Sequence, residues 1–208
     1  MTGALQLEFT EPDRLGELGL SVEVLHRAVR SGIEARATRT GLAPRNAAGT
    51  DLVSHTVEEL RLLLEPARWT ADWAGGQERT VSADGTTSVI VSTGAGAVGD
   101  LTGEPRTAHP KGPLMRDAVT ENLGYVQLGL QLGLEPEPEP EARRLCWVLL
   151  VKVEPGRALL ELSVPDGMRE GVVDSWAERI PLPPLPLGDP VDPVEGALDL
   201  DVPVDARP

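Results

Sequence analysis

Between Arg144 and Val164 the chain reads RLCWVLLVKVEPGRALLELSV, a pattern that predicts a strand, a turn and a returning strand. Leu145, Trp147, Leu149, Val151 and Val153 fall on one face of the first strand, and Cys146, Val148, Leu150 and Lys152 on the other. Both faces are mostly apolar, as in a central strand covered on two sides. Glu154-Pro155-Gly156-Arg157 supplies the turn, since Pro presets φ and Gly accepts a positive φ. On the way back, Ala158, Leu160, Leu162 and Val164 face one way, while Leu159, Glu161 and Ser163 face the other.

The remaining elements arrange themselves around this hairpin. Ala4 to Thr10 alternates as a short strand that Pro12 ends. Ser21 is placed to cap a helix carrying Val22, Leu25, Val29 and Ile33 at helical spacing, with Gly41 as its stop. Gly32 inside that helix costs about 1 kcal/mol relative to Ala. A second helix, capped near Thr50 or Asp51 and closed by Pro66, has the stripe Val53, Val57, Leu60 and Leu64. The spacer between the two is too long for a helix-turn-helix, and the second helix has no basic face to read DNA. Arg68 to Trp73 is extended until Gly75-Gly76, and Asp84-Gly85 joins Arg79–Ala83 to Thr86–Thr93, a dipeptide favoured in type I′ hairpin turns.

Gly94 to Gly112 forms a loop, and Pro113 then opens a short helix, LMRDAVTEN, with Gly112 at its cap. From Tyr125 to Leu134 the alternation of Val126, Leu128, Leu130, Leu132 and Leu134 with Gln and Gly predicts a strand weakened by its glycines. Glu135 to Glu141, EPEPEPE, is a polyproline-II spacer. Gly171 to Leu182 turns Val172, Trp176 and Ile180 inward, as a short helix or an irregular extended segment. The expected fold is α+β: a mostly antiparallel sheet covered by two or three helices. Residues 1–183 make a single domain with the spacer at 135–141, and residues 184–208 a disordered acidic, proline-rich tail.

Composition narrows the function. Phe and Tyr occur once each, so Leu, Val, Ala and four Trp must fill the core. Lys111 and Lys152 are the only lysines among 19 basic residues, a mark of high-GC coding that points to a bacterial origin. The net charge of −14 opposes non-specific binding to nucleic acid or to an anionic membrane. The acidity is concentrated late: residues 1–131 hold 12 basic and 17 acidic side chains, residues 132–208 hold 7 and 16. A single cysteine excludes an internal disulfide and a multi-cysteine zinc site, and Cys146 reads as a small buried hydrophobe. The first residues lack the pattern of a signal peptide, and no apolar run reaches the roughly 20 residues needed to span a bilayer. A soluble, cytoplasmic protein with no membrane partner is expected.

Gly94, Gly96 and Gly99 match G-x-G-x-x-G after a predicted strand. Asp100 to Pro105 cannot open the helix that such a fingerprint needs, so no dinucleotide or other cofactor is expected. Further along, Arg106, His109, Lys111 and Arg116 cluster in an otherwise acidic chain, and Lys111 and Gly112 immediately precede the helix N-terminus expected at Pro113. These five positions are the candidate site for an anion such as a phosphate, a carboxylate or a nucleic-acid backbone. The competing reading pairs these cations with Asp100, Glu104 and Asp117. His26, His55 and His109 show no metal-ligand spacing, no serine elbow is present, and no catalytic constellation emerges. Trp69 and Trp73 read as core rather than as a stacking platform. Two functions fit: a non-catalytic accessory or protein-interaction module whose partner is another protein, or a phosphate-handling protein that engages nucleotide or nucleic acid through the 94–116 loop. The net charge disfavours the second.

Overall fold

The computed structural model describes residues 12–73, 77–132 and 144–188. The expected strand at Ala4–Thr10, the Gly75-Gly76 break, the Glu-Pro spacer and most of the tail lie outside these residues. Three helices come first: α1 (Pro12–Glu17), α2 (Val22–Ala37) and α3 (Ala47–Leu64). The strands β1 (Thr70–Asp72), β2 (Arg79–Val81), β3 (Thr87–Gly96) and β4 (Pro105–Thr107) follow, then helix α4 (Pro113–Leu132). β5 (Leu145–Glu154), β6 (Arg157–Arg169), β7 (Val172–Pro181) and β8 (Leu185–Pro186) complete the described chain.

The strands form one sheet in the order β1-β2-β3-β5-β6-β7, with β4 paired to β3 and β8 to β6. Every pairing is antiparallel except the central one, β3 with β5, in which Thr87 meets Leu145 and Thr93 meets Val151. The fold is therefore α+β, with a mixed sheet and four helices among the described residues. Parallel neighbours need a crossover, and α4 provides it.

That requirement corrects the strand expected from Tyr125 as far as Leu132; residues 133 and 134 lie outside the described residues. The leucine, glycine and glutamine alternation predicts a strand, yet α4 continues as helix to Leu132. A helix already nucleated at Pro113 has to carry the chain back along the sheet, and the local period-2 pattern yields to that tertiary demand. Other differences are smaller. α3 begins at Ala47, earlier than expected, and of the two readings of residues 172–181 the extended one holds, as a regular strand with Val173 rather than Val172 buried. Asp84-Gly85 does turn the chain, but only the glycine has a positive φ, of 75°. The Gly85 N–H closes on the Ser82 carbonyl at 2.9 Å, a longer turn than the two-residue type I′. Leu185 and Pro186, within the stretch read as tail, pair with Ala158 and Arg157.

The two-faced hairpin sits at the centre of the sheet. Trp147, Leu149, Val151, Leu160 and Leu162 pack under α1, α2 and α3 on one face. Cys146, Val148, Leu150 and Ile90 pack under Met115 and Ala118 of α4 on the other. Burial pushes the Cys146 thiol up to about 11, so it is an inert core group. Ser21 caps α2 as expected, accepting the Val24 N–H at 3.2 Å. Gly32 earns its place within α2, because a Cβ there would lie 2.3 Å from the Leu52 carbonyl oxygen of α3. The helices touch backbone to backbone, and that closeness outweighs the glycine penalty. Beyond Val148 and Ser163, where the β5–β6 ladder ends, the fully buried Asn122 of α4 bridges the two strands. Its amide donates to the carbonyls of Cys146 and Pro165, and its Oδ1 accepts the Cys146 N–H at 2.9 Å.

Candidate functional site

The glycine run is ordered and holds no helix. β3 extends through Gly96, and a short return at residues 97–104 leads into β4. Gly96 and Gly99 have φ of 73° and 79°, and a Cβ on Gly96 would meet the Glu104 carbonyl oxygen at 2.5 Å. The Gly99 N–H does point at an anion, and that anion is the protein's own. It donates to Glu161 Oε2 at 3.0 Å. Glu161 is completely buried and also accepts the Ser163 hydroxyl at 2.6 Å. Arg179 of β7 completes the arrangement with Nε to Oε1 at 2.6 Å and Nη2 to Oε2 at 2.8 Å. The same guanidinium donates to the carbonyls of Gly103 and Asp100, tying the return to the sheet. Every partner is internal, so this buried pair fastens a loop and leaves nothing for a ligand.

The five predicted anion-site residues are spread along the segment that follows. Arg106 is the outward position of β4, between buried Pro105 and Thr107. His109 is exposed, and the Lys111 N–H is bonded to the Gly171 carbonyl at 2.7 Å. Gly112 lies exposed just before α4, and Arg116 is exposed on the first turns of that helix. Burial alone lowers the Lys111 ammonium from its ordinary range. No side-chain hydrogen bond or ion pair joins these residues to one another or to Asp100, Glu104 and Asp117 among the described residues. Asp100 instead accepts the Thr102 hydroxyl and N–H, which hold its carboxyl below the usual carboxylate range.

Two surface features were not anticipated from the sequence. Between α3 and β1 runs a groove of about 510 Å³. Val57 and Trp69 are its buried lining, while Leu62 and Trp73 stand 63% and 61% exposed along it. The two tryptophans thus part company: Trp69 joins the core, whereas Trp73 lies past the end of β1 at the sheet edge. Arg61 stacks over the Trp73 ring at 5.4 Å and donates to Glu78 at 2.8 Å, so the one cation of the groove is engaged. Glu58, Glu65 and Glu78 make the lining acidic. Leu62 carried the available signal, an apolar residue off the stripe that α3 presents to the core.

The second groove, of about 580 Å³, lies at the α2–α3 loop. Ile33, Ala37, Pro44 and Val153 give it apolar walls, and Arg36, Arg39 and Arg45 give it charge. Arg39 is paired with Asp51. Arg36 and Arg45 have no side-chain partner among the described residues. Beside them Leu42 is 96% exposed.

Among the described residues no group of His, Cys, Asp and Glu could hold a metal ion, and no helix is long and apolar enough to cross a membrane. Comparison with protein-family models, with curated proteins and with solved structures gave no match.

Proposed function

We propose that the protein is a non-catalytic interaction module that receives a segment of another protein in the groove between α3 and β1. The observation that carries this reading is the pairing of two large apolar side chains, Leu62 and Trp73, held out to solvent along one concavity. Exposed apolar groups gathered in a groove mark binding surfaces, and tryptophan is prominent among residues that dominate binding energy. Three glutamates against one engaged arginine set the chemistry of the partner: an apolar anchor flanked by Lys or Arg. The chain's net charge of −14 would steer such a segment toward it.

Photo-crosslinking from position 62 tests the reading, with position 170 as a control on the far hairpin. We expect discrete adducts from position 62 alone, mapping to partner segments with an apolar residue among basic ones, and their loss in Trp73→Ala. Equal adducts from both positions, or captured segments rich in acid, would overturn it.

A further inference from the structure

The α2–α3 loop carries unspent positive charge in a chain that has little to spare. Arg36 and Arg45 are exposed and without side-chain partners among the described residues, and no acidic side chain lines the groove they share with Arg39. Its walls are apolar, so an occupant needs carboxylates interleaved with apolar groups.

One part of this chain has that character and begins beside the groove. Leu187 donates its N–H to the Gly156 carbonyl at 2.9 Å, on the turn that joins β5 to β6. Val153, which lines the groove, is three residues before that carbonyl, and Leu187, Val153 and Ile33 pack against the same core. The described chain therefore leaves Gly188 at the groove's own end of the sheet. Residues 189–208 then read DPVDPVEGALDLDVPVDARP, with six carboxylates, one arginine and valines and leucines between them. Twenty residues reach at most about 65 Å, ample for a neighbouring site. The other acidic run, 135–141, precedes Leu145, and that start of β5 is roughly 30 Å from the strand's groove end at the strand rise.

We infer that the arginine-lined groove of the α2–α3 loop is a binding site for an acidic, apolar-interleaved segment, and that residues 189–208 of the same chain fill it. The acidic tail and the basic groove then neutralise each other within one molecule. This site is separate from the groove at Trp73 and does not depend on it.

A nitroxide on Leu42→Cys in the full-length chain tests this, since the native Cys146 is fully buried and escapes labelling. With the label at position 42, amide signals of residues 189–208 should lose intensity severalfold. A label on Asp117→Cys of α4 should leave them sharp. Arg36→Glu with Arg45→Glu should restore the signals, as should 1 M NaCl, where charges are screened beyond ~3 Å. Equal tail intensities for the two labels would overturn the inference. So would broadening that arises only between molecules, seen when isotope-labelled and nitroxide-bearing chains are separate and mixed.

Discussion

Arg179 and Arg36 belong to one acidic chain and live under opposite conditions. Arg179 is mostly buried and divides its donors among Glu161 and two loop carbonyls. Arg36 is exposed, shares its groove with Arg45, and finds no described partner. A guanidinium that is satisfied inside the fold acts on stability. One left open to solvent acts on whatever arrives. A glycine-rich loop beside a charge thus need not be a ligand cradle, because here the charge it cradles is Glu161, supplied by the fold itself.

The largest test of that contrast lies on the buried side. Glu161→Ala strands Arg179 and the Gly99 N–H, and should cost about 3–5 kcal/mol. Urea unfolding would read it, and a loss well under 1 kcal/mol would show that the pair does not fasten the loop. A smaller effect is expected at the rim of the basic groove. Arg39 holds the Asp51 carboxyl below its ordinary value of 3.8. A depressed folded value means that stability from this pair is complete above pH 3.8 and is lost as the pH falls through the folded value. The stability gap between the parent and Arg39→Gln should therefore be steady at neutral pH and close in acid, and a gap that widens in acid would reverse the assignment. The smallest effect is expected for Arg36→Gln combined with Arg45→Gln. Folding stability should fall by no more than about 1 kcal/mol, because all these exposed side chains would lose is solvent-screened pairing with residues 189–208.

The sequence showed the centre of the molecule more clearly than its edges, for a physical reason. Trp147, Val148 and Leu149 sit in a strand buried on both faces, so each position had to be apolar and the run declared itself. Ser21 and Gly85 were equally plain, because caps and turns are local chemistry. The α4 crossover was hidden: residues 125–132 obey a demand set by β3 and β5, which are distant in the chain. The partner of Gly99 was hidden in the same way, since Glu161 lies 62 residues on and its alternation within β6 says nothing of what it meets. The grooves were legible only as anomalies, Leu62 off its stripe and Leu42 in a polar loop, because concavities come from packing and leave no period behind. The anion candidates Arg106, His109, Lys111, Gly112 and Arg116 were found by proximity in sequence, and they fall on β4, on the segment after it and on the first turns of α4.

The parallel seam between β3 and β5 also governs how the chain can be made. Thr87 leaves the ribosome long before Leu145, its neighbour in the sheet. At ~5–20 residues per second, β3 waits on the order of seconds with the edge of Val89-Ile90-Val91 that meets β5 still unpaired. During that interval α1, α2 and α3, already synthesised, can shelter only one of its faces, and the other stays bare until α4 and β5 emerge. Newborn copies of this protein are thus most prone to clump midway through translation, and a slow codon stretch placed between Thr93 and Leu145 would lengthen that hazard.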